Sequence, residues 1–324
     1  MSIEGHVIAL CGGVGGAKLA FGLTRLLEPD ALSLIVNTGD DFEHLGLTIC
    51  PDIDTVAYTL AGLSDRERGW GLAGESWNFM EQVRQLGGQG WFNLGDKDLA
   101  MHIERTRLLR AGLPLSEATN KLTAALGLRH AIIAMSDQPV RTIVETAEGL
   151  MPFQHYFVRE QCRPVVNAIR FEGAKSASPS PAFLNALQRR DVSAVVICPS
   201  NPYLSVDPIL AIPNVREALA ALNVPIIAVS PIIGGRALKG PAAKLMRELG
   251  VTPDVEAIAE HYADLIDGLV IDETDAEQAG AVRAAGAEPL IAQSIMTRDE
   301  DRINLARQTL SFANTLGKEM LCRT

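Results

Sequence analysis

Four aspartates, Asp40, Asp41, Asp52 and Asp54, lie within fifteen residues in "NTGDDFEHLGLTICPDIDT". Carboxylates grouped in this way suit a hard divalent cation, and Mg²⁺ characteristically takes one or two of them and completes its shell with phosphate oxygens and water. Upstream, "HVIALCGGVGGAKLAFGL" places four glycines and Lys18 between an apolar run and a helical pattern. A strand that enters a helix through a glycine turn presents unpaired N–H groups and the positive end of the helix dipole to an anion. The two stretches together point to a phosphate bound beside a metal. The phosphate contacts fall on Gly12, Gly13, Gly15, Gly16 and Lys18. Adjacent residues at a strand end point in opposite directions, so one aspartate of each pair is expected to face the site; Asp41 and Asp54 are the expected catalytic metal ligands. For Asp52 an N-cap or first-turn acid is the competing reading. The familiar phosphate loops do not match letter for letter: Lys18 is not followed by Ser or Thr, and it stands where a dinucleotide fingerprint needs its third glycine.

Three further stretches carry chemistry. "WFNLGDKDLAMH" sets Trp91 and Phe92 beside Asn93, Asp96, Asp98 and His102, a stacking surface with polar groups that suits a planar heterocycle. The competing reading is a core-covering loop in which Asp96 caps a helix. "CPSNPYLSVDPIL" follows a strand and offers Ser200, Asn201, Ser205 and Asp207 to a base or ribose. "SPIIGGRALKGPAAKLM" gathers Gly234, Gly235, Arg236, Lys239 and Lys244, a second anion cradle or a set of solvated loop charges. The six histidines show no close metal-ligand spacing.

Short β-branched runs must position these groups: "HVIAL", "LSLIVN", "HAIIAM", "SAVVIC", "VPIIAVS" and "DGLVID". Runs apolar on both faces and separated by helices predict a doubly wound, Rossmann-like parallel α/β sheet. Between Pro51 and Leu128 the pattern turns amphipathic and helical. The expected organisation is therefore a core of residues 1–50 and 128–324 with a mostly helical insertion, 51–127. "YFVREQCRPVVNAIRFEG" reads as two antiparallel strands and "GAKSASPSPAF" as a linker. The 324 residues carry a net charge of −10, which opposes general affinity for nucleic acid or anionic membrane. Proline interrupts the apolar runs well short of the roughly 18 residues of a membrane span. With no secretory pattern at the N-terminus and five scattered cysteines, the expected location is the cytoplasm.

The ordered set "CGGVGGAKL", "NTGDDFEHLGL", "PDIDTVAYTLAGL", "RGWG", "LGDKDLAMH", "MSDQPV", "PSNPYLSVDPIL", "SPIIGGRALKGPA" and "DGLVID" resembles the 2-phospho-L-lactate transferase family of deazaflavin coenzyme F420 biosynthesis. The resemblance runs from about Val7 to Asp272. It implies a Mg²⁺-dependent transfer from a guanylylated phospho-acid to the terminal hydroxyl of the deazaflavin Fo, with release of GMP, in a homodimer. It places the metal on the aspartates of "NTGDD" and "PDIDT". Donor contacts fall on Gly12, Gly13, Gly15, Gly16, Lys18, Ser200, Asn201 and Ser205, and the acceptor lies near Trp91, Asn93, Asp96, Asp98, Met135 and Ser136. Met101 and "SVDPIL" depart from the usual letters, which touches fine donor contacts rather than the reaction. A related family of nucleotide-sugar-binding regulators shares the first glycine turn, but its Asp-Asp is expected to run into a Gly-Gly-Ser-Ser-like loop, whereas here "DDFEHLGL" follows. A nicotinamide-dependent oxidoreductase is disfavoured by the failed fingerprint. The identity of the phospho-acid, lactate, pyruvate or glycerate type, rests on contacts the letters do not specify.

Overall fold

Seven of the strands join into one parallel sheet in the computed structural model, which describes residues 5–323. In chain order the strands are β1 (His6–Cys11), β2 (Leu32–Val36), β3 (Phe42–His44), β4 (Leu47–Ile49), β5 (Ile132–Ala134), β6 (Arg141–Thr146), β7 (Gly149–Pro152), β8 (Val166–Glu172), β9 (Val192–Ile197), β10 (Ile226–Val229), β11 (Ile232–Ile233), β12 (Arg236–Ala237), β13 (Gly268–Asp272) and β14 (Glu288–Ala292). The sheet runs β14-β13-β10-β9-β1-β2-β5, every neighbouring pair parallel.

Alternation along β1 explains the two layers of helices. Val7, Ala9 and Cys11 enter one core with Leu19 and Leu23 of helix α1 (Gly13–Thr24), Val56 of α2 (Pro51–Leu60) and Leu305 and Leu310 of the C-terminal helix Asp299–Arg323. Ile8 and Leu10 enter the other with Phe183, Ile209, Leu219 and Ile258. Both faces are thus buried, and the doubly wound α/β architecture read from the letters is the one observed. Gly22 brings α1 onto the C-terminal helix, since a Cβ there would stand 2.1 Å from the Arg302 carbonyl oxygen.

The stretch 51–127 holds α2, α3 (Asn78–Gln85), α4 (Asp98–Arg110) and α5 (Leu115–Ala125), and no strand of the seven-stranded sheet. Helix α2 buries Ile53, Val56, Ala57 and Tyr58 in the same core as α1, while Met80 of α3 and Leu94 share a small cluster with Ile49 of the β3–β4 hairpin.

One expectation is corrected. Of "YFVREQCRPVVNAIRFEG", only Val166–Glu172 is a strand; His155–Arg159 forms a wide helical turn, with Gln161 and Cys162 at positive φ behind it. Tyr156 is fully buried with Phe153, Val166 and Leu204, and this packing overrides the β preference of "YFV". The strand pairs with β6, which pairs in turn with β7, making the antiparallel sheet β7-β6-β8. Among the described residues no helix is long and apolar enough to cross a membrane.

Candidate active-site cleft

From β1 the chain winds one way across the sheet through β2 and β5, and from β9 it winds the other way, so the loops after β1 and β9 diverge. Open α/β sheets place their ligands at such a switch, beyond the carboxyl ends of the strands. A cleft of about 600 Å³ lies there, lined by Gly12, Gly13, Gly15 and Lys18 after β1 and by Ser200, Asn201 and Ser205 after β9. All of these are donor-contact candidates from the letters; Gly16 alone of that set is turned away from the cleft.

The glycines serve packing as well as approach. Gly12 N–H donates to Ser200 Oγ (3.1 Å), whose hydroxyl donates back to Gly12 O (2.9 Å). A Cβ on Gly15 would stand 2.2 Å from Pro199 O, and one on Gly16 2.4 Å from Ser200 Oγ, so any side chain would force the two switch loops apart. Gly13 has φ +63°, a left-handed conformation that glycine adopts freely. Its N–H is already taken by Asp52 Oδ1 (2.8 Å). Asn37 Nδ2 donates to Asp52 Oδ2 (2.9 Å) and to Leu204 O (3.2 Å), so one carboxylate and one amide tie together the segments that follow β1, β2 and β9. Burial pushes Asp52 up to about 6 against these hydrogen bonds. Asp52 is therefore a first-turn acid of α2, as the competing reading had it, and it bridges Gly13 and Asn37; the N-cap is Cys50.

Beside it, Asp54 faces the cleft and carries Arg105 of α4 on both oxygens; Nη1 lies 3.0 Å from Oδ2, and Nη2 bonds Oδ1. His102 Nδ1 is 3.7 Å from Asp54, and His102 Nε2 is 3.4 Å from Asp98, which also accepts the Tyr58 hydroxyl. Asp54, Asp98 and His102 form a group with ligand atoms within 4.8 Å of one another. Burial raises Asp54 despite Arg105, whereas for Asp98 the bonds from His102 and Tyr58 outweigh burial and hold it low. Asp41 lies behind the wall, 3% exposed, and its Oδ1 has no partner. Burial pushes it up to about 7. A bidentate arginine uses two of a carboxylate's roughly four lone-pair sites, so Asp54 keeps capacity for a cation. The oxygen-rich donor set fits Mg²⁺ better than a softer ion.

The remaining candidates divide. Asn93 and Asp98 line the cleft, together with Phe92, Phe153 and Phe157. Trp91 instead packs in a cluster with Phe42, His44, Phe92 and His155, edge-on to the last at 4.7 Å. Asp96 holds the start of α3 by accepting from the backbone N–H of Asn78 (3.1 Å) and Phe79 (3.0 Å) and from Ser76 Oγ (2.7 Å), the last being the largest of the causes that lower it to about 2. Met135 and Ser136 are fully buried at the far edge strand, where Ser136 Oγ donates to Ser178 O (2.8 Å). The structure brings neither to the cleft. In the second glycine stretch, Gly234 N–H already binds both oxygens of Asp275 (3.1 Å each), and Lys244 is held by Glu248, Tyr156 OH and Pro164 O. Of that cradle, Lys239 reaches the cleft. Sequence reasoning missed Arg105, Tyr58 and Asn37. The spacing of Asp98, His102 and Arg105, one stripe of a helix in which the last two are almost wholly buried, was the available signal.

The family model of 2-phospho-L-lactate transferase matches residues 7–310. The chain is 40% identical over 315 residues to a phosphoenolpyruvate transferase of Kitasatospora aureofaciens, covering 95% of this chain and 98% of that one. It is 38% identical over 300 residues to a 2-phospho-L-lactate transferase of Methanosarcina mazei, covering 93% and 98%. A crystal structure of a UPF0052 family member from Bacillus halodurans shares the fold, with TM-score 0.65 at 16% identity over 96% of this chain and 100% of that one. Matched along nearly its whole length, the chain belongs to the 2-phospho-L-lactate transferase family and is, with it, a transferase.

Proposed function

We propose that the protein transfers the phospho-acid of a guanylylated donor, of 2-phospho-L-lactate, phosphoenolpyruvate or 3-phosphoglycerate type, to the terminal hydroxyl of Fo in coenzyme F420 biosynthesis, releasing GMP. One observation carries this reading: a single cleft joins a glycine-and-serine end, Gly12 to Gly15 with Ser200 and Asn201, to an aromatic end, Phe92, Phe153 and Phe157. Such a cavity has room for a nucleotide and a planar heterocycle side by side. The names of the relatives at about 40% identity agree with it.

Transfer of a phosphoryl-linked group to a hydroxyl needs position and charge stabilisation more than an enzyme nucleophile. The amides of Val14 and Gly15, at the start of α1 and not engaged by Asp52, face the donor phosphates. Ser200, Asn201 and Ser205 hold the nucleoside side, and Asn93 with the phenylalanines orients the ring. Mg²⁺, when bound, neutralises diphosphate charge and stabilises the leaving phosphate. Asp54, with Asp98 and His102 beside it, would hold that ion, and Asp41 lies behind them rather than at the cleft. Arg105 fixes the orientation of Asp54. The setting we propose is a cytoplasmic homodimer that binds neither nucleic acid nor membrane.

The test is a mass-spectrometric turnover assay with Fo, Mg²⁺ and each of the three guanylylated acids. The phosphodiester product with equimolar GMP is expected, and the relative rates name the donor. Tight GDP binding with no product from any donor would reject the transfer and favour a nucleotide-binding regulator.

A further inference from the structure

A side pocket of about 70 Å³ opens off the cleft where α1 meets the C-terminal helix; Val14, Lys18, Tyr58 and Lys239 are common to both. Four cations line it, Lys18, Arg66, Lys239 and Arg302, against one carboxylate, Asp65, which is already paired to Arg68 (2.9 Å). Asp299, shared between Arg66 (2.9 Å) and Arg302 (3.2 Å), supplies one further negative charge. In a chain of net charge −10, this excess of positive charge is concentrated at one small opening.

Two of these cations, Arg302 and Lys18, are fixed by packing or hydrogen bonding, while Arg66 and Lys239 reach the opening from the exposed side. Arg302 is 4% exposed, lies 5.2 Å from the Phe21 ring centre, and has an Nε without a hydrogen-bond partner. Lys18 donates to Met296 O (2.7 Å), which leaves two of its three ammonium protons for a ligand. Burial, and the nearby charges of Arg302 and Lys239, lower its pKa. Lys239 has no carboxylate partner among the described residues.

We propose that this pocket is the subsite for the carboxylate of the donor's small acid, held by Lys18, Lys239 and Arg302. The inference rests on the transferase reading and adds to it the part of the donor that the glycine turn does not explain. Val14 and Lys18 are one turn apart on α1, a rise of about 5.4–6 Å. In a 2-phospho acid, three bonds of about 1.5 Å separate phosphorus from the carboxylate carbon, a reach of about 4 Å. A diphosphate seated at the first amides of α1 therefore delivers its carboxylate one turn along, at Lys18. The pocket is too small for a base or a second phosphate with its ester, and its chemistry is that of a compact anion.

Two ligands separate this proposal from the reading beneath it: guanylylated 2-phospho-L-lactate, and the guanosine diphosphate ethyl ester, which lacks the carboxylate. Calorimetry of the wild-type protein is expected to show the carboxylate donor bound about tenfold tighter or more. Arg302→Gln and Lys239→Gln should each bring the two ligands to within about threefold of each other, with GDP affinity retained. Arg302 is buried and its variant needs a melting curve alongside; Lys239 is exposed, and its variant carries the test if the other fails to fold. Wild-type discrimination that persists unchanged in both variants, or equal binding of the two ligands by the wild type, would overturn the subsite while leaving the transferase standing. A folded wild type that binds neither ligand would overturn the transferase reading itself.

Discussion

Replacing Arg105 by methionine while leaving Asp54 in place isolates the buried pair at the cleft floor. The side chains of Arg105 and Asp54 are 1% and 7% exposed, so the charge left behind has almost no access to solvent. Removing one partner of a buried pair costs about 3–5 kcal/mol, because the remaining charge is unpaired and not because the pair itself contributes that much. Methionine keeps most of the volume of the arginine stem, which limits any packing defect. The guanidinium's further approach to Thr48 O, 3.5 Å, adds little. The expected loss is thus about 3 kcal/mol or more at pH 7 with chelator present. Burial already raises Asp54, and without Arg105 it rises further; a raised carboxylate stabilises the fold below its unfolded pKa and loses that contribution as pH rises through the folded value. The deficit should therefore be larger at pH 8 than at pH 5. Adding Asp54→Asn should recover much of the loss, with a coupling of roughly 2 kcal/mol in a double-mutant cycle, and Mg²⁺ should stabilise Arg105→Met more than the wild type. Urea unfolding of the four proteins measures all of this. A loss below about 1 kcal/mol, or simple additivity of the two substitutions, would refute the assignment of a buried, mutually compensating pair.

Two other substitutions test the cleft walls. Gly15→Ala puts a methyl 2.2 Å from Pro199 O and should cost about 1–3 kcal/mol in thermal or urea unfolding while weakening GDP binding; unchanged stability would mean that the two switch loops yield freely. Phe92→Ala should weaken Fo binding in a fluorescence titration by about 1–3 kcal/mol with GDP affinity unchanged, whereas Trp91→Ala should lower the melting temperature more than it affects either ligand; the reverse ranking would place Trp91 at the ring.

The sheet was legible because each central strand is buried on both faces and so appears as a short β-branched run with no polar alternation. β14 escaped that logic. It lies at the edge, its Ile291 is 46% exposed, and "EPLIA" mixes charge, proline and apolar residues as an edge strand does. The antiparallel sheet was legible only in β8, because the buried Tyr156 draws "YFV" into a helical turn through contacts with residues nearly fifty positions away. At the site, the glycines, Asp54, Ser200 and Asn201 were legible because a switch point collects loops that follow strands, and each loop carries its polar residues in one stretch. What the letters could not separate was the second use of the same residues. Gly15 and Gly16 close two loops against each other, Asp52 occupies the amide that the glycine turn was expected to offer, and Asp96 holds a helix start. Arg105 and Arg302 act on the cleft from helices that begin more than eighty residues after the glycine turn, at Asp98 and Asp299, and arginine in a helical pattern ordinarily reads as solvated surface. Burial is what distinguishes them. A cation one or four per cent exposed must answer a fixed negative charge, and Arg105 answers Asp54, while Arg302 retains an unpartnered Nε beside a pocket sized for an anion.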